Sequence, residues 1–172
     1  GNLKKVTLEL GGKSPSVVLP DADLDSGIPG VASAIFFNHG QCCCAGSRLY
    51  VEKTIFDKVI AGVADQARQI NLGPGLDPAT QMGPLVSDEQ QRRVLGYLES
   101  GMAEGAEAVT GGKRLGDKGY FVEPTVLVKT HSSMKVIQEE IFGPVVCAEP
   151  FTDVEEVIAK ANDSIYGLAA AV

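Results

Sequence analysis

The chain has 172 residues, 44% of them hydrophobic, and its 22 acidic residues outnumber 15 basic ones, giving a net charge of −7. A chain of this length can bury about 70% of its unfolded surface in one domain, so it needs no disulfide or metal for stability. The negative charge argues against a general nucleic-acid or anionic-membrane surface, and no apolar run reaches the roughly 18 residues that span a bilayer. We therefore expect neither a nucleic-acid nor a membrane partner.

The first predicted elements are two strands and a helix. Val6, Leu8 and Leu10 alternate with polar residues, which predicts a strand that ends at Gly11-Gly12 and points Glu9 away from the leucine face. A second short strand is predicted at 16–19. Pro29 suits the first turn of a helix, so the next helix is predicted to begin near it and to run toward Asn38.

Strands and helices continue to alternate along the rest of the chain. Strands are predicted at 48–52, 108–110, 123–128, 144–150 and from 168 onward. Helices are predicted at 54–71, after the capping pattern Ser87-x-x-Gln90, and after Thr152-x-x-Glu155, with a glycine and proline connector at 73–84. This order predicts an α/β fold with an open, mostly parallel sheet flanked by helices, in which sites collect at the carboxyl ends of strands.

Three of the four cysteines, Cys42, Cys43 and Cys44, are consecutive, and the fourth is Cys147. Adjacent cysteines do not easily reach disulfide geometry, and no Cys-x-x-Cys pair or histidine spacing suggests a zinc site. We therefore expect free thiols in a reducing, cytoplasmic setting and no metal.

The cysteine run lies at a junction between a helix and a strand, where reactive groups are often presented. A thiolate can attack a carbonyl, and backbone N–H groups beyond a helix end can hold the oxyanion that forms. The middle residue, Cys43, is the candidate nucleophile, and Glu9 is the candidate base that activates water against a thioester. This hypothesis requires the stretches at 6–13 and 38–48 to meet.

Other interpretations of these residues stay open. A free cysteine is often only a small buried apolar residue, and a lone glutamate beside two glycines is often merely solvated. His39, four positions before Cys43, is compatible with a nucleotide-independent Cys-His hydrolase or acyltransferase. A structural or binding domain without activity is the third possibility.

Three segments in this order and spacing decide more than any single residue: 9–15 (Glu-Leu-Gly-Gly-Lys-Ser-Pro), 36–48 and 139–144 (Glu-Glu-Ile-Phe-Gly-Pro). With them the sequence resembles the aldehyde dehydrogenase superfamily from its first residue to its last. The resemblance implies NAD(P)-dependent oxidation of an aldehyde to a carboxylate, with NAD the more expected cofactor. It implies that Cys43 forms a thiohemiacetal and then a thioester, which water activated by Glu9 hydrolyses.

The same resemblance implies roles for further residues. Glu140 is expected to hydrogen-bond the nicotinamide ribose, and Phe142 to contact the nicotinamide side. The remaining expected cofactor contacts are Leu10, Gln90 and Arg93, and the residues expected to line the aldehyde tunnel are Phe37, Cys42 and Cys44. Residues 29–39 are also similar to bacterial phenylacetaldehyde dehydrogenases.

The resemblance also implies what residues 1–172 do not include. They correspond to a partial aldehyde dehydrogenase catalytic domain, without the family's nucleotide-binding and oligomerisation parts. We expect the full-length subunit to form a homodimer or homotetramer, and the isolated chain to bind cofactor weakly or to be inactive.

Overall fold

The computed structural model describes residues 2–172, which form one five-stranded sheet with helices on both faces. The strands are β1 Pro15–Val18, β2 Arg48–Glu52, β3 Glu107–Thr110, β4 Thr125–Val128 and β5 Val145–Phe151. Their order across the sheet is β1-β2-β5-β4-β3. All neighbours pair in parallel except β3, which is antiparallel to β4. The predicted α/β fold with a mostly parallel sheet is confirmed.

Five α-helices and one short 3₁₀ helix connect the strands. The α-helices are α1 Leu24–Phe36, α2 Phe56–Gln69, α3 Asp88–Ala103, α4 Lys135–Gln138 and α5 Val154–Asn162, and the 3₁₀ helix is Phe37–Gly40. The short helix α4 has no counterpart in the sequence prediction, because four residues are too few for helical periodicity to be read.

The core lies on both faces of the sheet. Val146 and Ala148 of β5 pack toward α1 and α2, whereas Val145 and Cys147 pack toward α3 and α4. All four of these side chains are at most 1% exposed. Strands covered on both faces have no solvent side, which explains why residues 145–148 of β5 form a continuous apolar run and not an alternation.

Three of the five α-helices in residues 2–172 start at a side chain that accepts a hydrogen bond from a backbone N–H group. Asp23 caps α1, Ser87 caps α3 as predicted, and Asp153 caps α5 in place of the expected Thr152. Helix α1 therefore begins at Leu24, before the predicted start near Pro29. Pro29 lies inside α1, where it leaves the Asp25 carbonyl without its usual partner, and the exposure of Asp25 lets water replace that partner.

The predicted strand around Val6, Leu8 and Leu10 is wrong. Residues 2–10 have no regular secondary structure and are exposed, and the three side chains are 74, 70 and 64% accessible. A strand needs a neighbour for its backbone and a surface for its apolar face, and nothing within residues 2–172 supplies either to this segment. The strand predicted from residue 168 is reduced to a single parallel bridge between Ser16 and Ala171.

Within residues 2–172, none of the helices has the length and apolar composition needed to cross a bilayer.

The least expected feature of the core is a buried lysine. Lys13, just before β1, is 2% exposed, and its ammonium group has no hydrogen-bond partner within residues 2–172. Burial lowers the pKa of Lys13 from 10.5 to about 8, an effect that the nearby Cys147 opposes. Below pH 8 the charged form therefore costs about 3 kcal/mol of folding free energy.

Replacing this lysine should stabilise the fold in a pH-dependent way. Because the unfolded chain holds its Lys13 proton up to pH 10.5 and the folded chain only to about 8, stability should rise with pH across that window. We expect Lys13→Met to raise the free energy of unfolding at pH 7 by up to about 3 kcal/mol, and this advantage to shrink between pH 8 and 10.5. Urea denaturation across pH 7–10.5 measures the difference.

The matched control is Lys58→Met on the exposed side of α2. It should leave the pH dependence of unfolding unchanged. A constant difference between Lys13→Met and the unsubstituted chain at all pH values would contradict the assignment of a depressed pKa to Lys13.

Candidate active site

Three separate segments of the chain line one open cleft of about 460 Å³. The first segment supplies Glu9, Leu10 and Gly11, the second supplies residues 41–43, and the third supplies Glu140 and Phe142. The stretches at 6–13 and 38–48 therefore do meet, as the proposed chemistry requires. Of the predicted site residues, Cys43, Glu9, Leu10, Glu140, Phe142 and Cys42 lie in this cleft.

The turn before Cys43 has an unusual backbone. After α1, the residues Asn38, His39 and Gly40 all have positive φ values, of 48°, 62° and 67°. The Asn38 side chain stabilises this turn by donating a 2.8 Å hydrogen bond to the carbonyl of Gln41. The chain thereby reverses within a few residues and brings Cys43, half-buried, to the wall of the cleft.

Glycines allow the backbones of the site to approach one another closely. A Cβ on Gly12 would overlap the carbonyl oxygen of Cys43, and one on Gly11 would overlap the carboxylate of Glu140. A Cβ on Gly40 would overlap the carbonyl of Gly143, next to the loop at 140–142. Gly12 and Gly40 each face backbone atoms, which leaves no room for a side chain, whereas Gly11 faces the end of a flexible side chain. Together the three contacts join the turn at 38–41, the segment after Glu9 and the loop at 140–142.

Glu140 is oriented by the backbone of the first segment. Its Oε1 accepts a 3.0 Å hydrogen bond from the N–H of Gly12, which leaves acceptor capacity directed at the cleft. Phe142, two residues later, has a φ of 57°, which is uncommon for a bulky residue. The loop thus holds an acidic and an aromatic side chain side by side in the cleft wall.

Gln90 and Arg93 do not line the cleft. The side-chain amide of Gln90 donates to the carbonyls of Ile141, at 3.1 Å, and Phe142, at 2.7 Å. Arg93 donates to the carbonyl of Glu140 at 3.0 Å. Both residues donate to the backbone of the loop at 140–142 and neither belongs to the cleft wall.

The residues expected to line an aldehyde tunnel are only partly assembled. Cys42 lies in the cleft, but Phe37 is 72% exposed and Cys44 is exposed, and neither belongs to the cleft wall. The sulfurs of Cys42 and Cys44 are 3.4 Å apart. This hydrogen bond raises the pKa of the Cys44 thiol. No enclosed tunnel forms from residues 2–172.

His39 is turned away from Cys43 and toward the connector at 73–84. Its Nε2 accepts a 3.0 Å hydrogen bond from the N–H of Gly83, and its Nδ1 is buried. A general base must reach the proton that it removes, and both ring nitrogens of His39 are occupied or enclosed elsewhere. The geometry therefore does not favour the Cys-His hydrolase alternative.

Across residues 2–172, no three histidine, cysteine or acidic side chains are grouped as metal ligands.

The whole sequence, residues 1–172, matches the protein family described as the aldehyde dehydrogenase family. The chain belongs to this family. An aldehyde dehydrogenase described as mitochondrial, from Leishmania tarentolae, is 50% identical over 171 residues, which is 99% of this chain and 34% of that protein. A putative aldehyde dehydrogenase, DhaS from Bacillus subtilis, is 52% identical over 98% of this chain and 34% of its own length.

Solved structures of family members have the same fold. The NAD⁺ complex of an aldehyde dehydrogenase from Bacillus cereus matches with a TM-score of 0.94 and 51% identity, over 97% of this chain and 34% of that one. Betaine aldehyde dehydrogenase from Staphylococcus aureus, in complex with NAD⁺, matches with a TM-score of 0.91 and 43% identity, over 94% of this chain and 33% of that one. The chain thus spans about a third of the length of the relatives that it matches.

Sequence reasoning missed the hydrogen bonds between the turn at 38–41 and the segment before α3. Besides the bond from Gly83 to His39, the N–H of Val86 donates to the Gln41 side chain at 3.0 Å. These bonds join residues more than 40 positions apart, so no local pattern could have revealed them. The Gly11-Gly12 pair is visible in the sequence as the end of a predicted strand and as part of the motif at 9–15, but neither reveals its close contact with Cys43 and Glu140.

Gly12 should tolerate no side chain. We expect Gly12→Ala to lower the free energy of unfolding by roughly 1–3 kcal/mol, because the added methyl group forces Cys43 or Gly12 to move. Urea denaturation measures this loss, and mass spectrometry of iodoacetamide-treated protein reports the accompanying change in the alkylation rate of Cys43.

Gly30→Ala is the matched control. Gly30 lies within α1, and a Cβ there would meet nothing within 4 Å. The same substitution should therefore stabilise the chain by up to about 1 kcal/mol through helix propensity. Equal stability of the two variants would contradict the close approach of Gly12 to Cys43.

Proposed function

We propose that the chain carries the catalytic centre of an NAD(P)-dependent aldehyde dehydrogenase, with NAD the preferred cofactor and a small aldehyde as substrate. The observation that carries this proposal is the single cleft shared by Cys43, Glu9, Glu140 and Phe142. Membership of the family and the NAD⁺ complexes of its solved relatives support it.

The cleft suits a nicotinamide nucleoside in size and chemistry. Its volume of about 460 Å³ falls within the usual range for small-molecule sites. A carboxylate such as Glu140 can accept two hydrogen bonds from ribose hydroxyls, and the neighbouring Phe142 offers an aromatic edge beside the ring. Leu10 adds an apolar side chain to the lining of the cleft. When bound there, the nicotinamide supplies a hydride acceptor.

Cys43 and Glu9 carry out the remaining steps of the proposed reaction. The Cys43 thiolate attacks the aldehyde carbon, and a thiohemiacetal forms on sulfur. Within residues 2–172 the N–H of Cys43 has no hydrogen-bond acceptor, so it is available to the developing oxyanion. After loss of the hydride, Glu9 takes a proton from water, the hydroxide adds to the thioester, and the carboxylate product leaves with return of the thiol.

The proposal also includes a cellular compartment and an oligomeric state for the complete protein. The four cysteines are free thiols, which suits a reducing compartment such as the cytoplasm. A homodimer or homotetramer is proposed from the family resemblance. Size-exclusion chromatography with light scattering of the complete protein tests it.

Cys43→Ala and Glu9→Gln should separate the two halves of the mechanism. In the complete protein we expect Cys43→Ala to lower kcat for aldehyde oxidation at least a thousandfold, because no covalent intermediate can form. Glu9→Gln should slow hydrolysis by about 10²–10⁴-fold and let an acyl adduct accumulate on Cys43, visible by mass spectrometry of protein quenched after an activated ester is added. Cys44→Ala is the control, and full activity of Cys43→Ala would refute the proposal.

His39→Asn distinguishes the dehydrogenase from the Cys-His hydrolase. A hydrolase would lose its general base, and its nucleotide-independent ester turnover should fall at least about a thousandfold. If the protein is a dehydrogenase, its rate of aldehyde oxidation should stay within about tenfold of the unsubstituted protein's, because only the hydrogen bond to Gly83 is lost. His131→Asn, at an exposed histidine bonded to Ser133, is the matched control and should change neither rate.

A further inference from the structure

The peptide unit between Cys42 and Cys43 carries the N–H group that is free to bind an oxyanion. At its other end, the carbonyl oxygen of Cys42 accepts a 3.1 Å hydrogen bond from the N–H of Ala45. Because a trans peptide is planar, its C=O and N–H groups point in opposite directions. The bond from Ala45 therefore fixes the direction of the Cys43 N–H relative to the turn at 42–45.

The turn at 42–45 is attached to the rest of the structure on both sides. After it, the N–H of Gly46 donates a 3.0 Å hydrogen bond to the carbonyl of Ala34 in α1. Before it, the side-chain oxygen of Gln41 accepts a 3.0 Å hydrogen bond from the N–H of Val86, in the segment before α3. The first attachment uses the backbone alone, whereas the second depends on one side chain.

The backbone that leads to Gln41 needs support from outside its own turn. Asn38 and His39 have left-handed φ values, which cost free energy for residues with a side chain. Two hydrogen bonds between Asn38 and Gln41 close this turn on itself without attaching it to another element. The bonds from Gly83 to His39 and from Val86 to Gln41 do attach it. The second of these lies only two residues before the candidate nucleophile.

We propose that Gln41 is a positioning residue for the oxyanion step. Its bond from Val86 holds the turn at 42–45 in the place where the Cys43 N–H points at the developing oxyanion. The proposal rests on the function proposed above, in which Cys43 attacks a carbonyl. Although Gln41 lines the cleft, its effect is assigned to the backbone and not to a contact with substrate or cofactor. Loss of the bond should therefore impair only reactions that form an oxyanion.

Two reactions of Cys43 separate oxyanion stabilisation from thiol reactivity. Acylation by an activated ester passes through a tetrahedral oxyanion before the alcohol leaves, whereas alkylation by iodoacetamide displaces iodide and forms no oxyanion. Both reactions begin with the same thiolate, so the ratio of the acylation rate to the alkylation rate cancels any change in thiolate fraction. Mass spectrometry of the complete protein, quenched at timed intervals without nucleotide, measures both rates and identifies the modified residue.

Three variants test the proposal. Gln41→Met has a side chain of similar length that cannot accept the bond from Val86, and Gln41→Glu keeps an acceptor oxygen but removes the amide protons. Gln81→Met is the matched control, because the Gln81 side chain also accepts a backbone bond, of 2.8 Å from the N–H of Asn71, and lies outside the cleft. Buffer of high ionic strength screens the charge that Gln41→Glu adds.

We expect Gln41→Met to lower the ratio at least about tenfold, because a misdirected N–H stabilises the oxyanion poorly. Gln81→Met and Gln41→Glu should stay within about threefold of the unsubstituted protein, since a carboxylate also accepts an N–H bond. An unchanged ratio in Gln41→Met would overturn the proposal. An equal loss in Gln41→Glu would overturn it too, because the amide protons of Gln41 would then act directly. Failure of the dehydrogenase proposal would appear separately, as aldehyde oxidation by Cys43→Ala.

Discussion

The site depends on the close packing of Gly11 and Gly12 against the two segments that carry the reactive groups. Gly12 has no room for a Cβ beside the Cys43 carbonyl, and a Cβ on Gly11 would displace the Glu140 carboxylate. The Gly12 N–H also orients Glu140. Two residues without side chains therefore join the segments of Cys43, Glu9 and Glu140, and a side chain on Gly12 would force the Cys43 backbone away.

Much of the fold could be predicted from the sequence because its signals are local. Apolar runs, helical periodicity and the Ser87 cap fixed most strands and helices to within a few residues. Local signals failed where a partner decides the structure. Val6, Leu8 and Leu10 alternate like a strand but have no neighbour among residues 2–172. Helix α1 begins at the Asp23 cap, so Pro29 lies inside the helix and does not mark its start.

The candidate site was predictable as a set of residues but not as a geometry. The order of three motifs indicated the family, and the resemblance named Cys43, Glu9, Glu140 and Phe142 as site residues. These four residues line one cleft in the structure. What motifs cannot give is the direction of a side chain. His39 lies near Cys43 in sequence yet accepts a hydrogen bond from Gly83, and Gln90 and Arg93 donate to the backbone of the loop at 140–142.

The hydrogen bond between Gly12 and Glu140 joins residues 128 positions apart, and β2 pairs in parallel with β5 across about a hundred residues. Parallel pairing at such separation forms slowly, because long loops must close before the contacts can stabilise them. The cleft can exist only after both ends of the chain have been brought to the same edge of the sheet. During refolding, recovery of Cys43 reactivity should therefore follow recovery of helical circular dichroism.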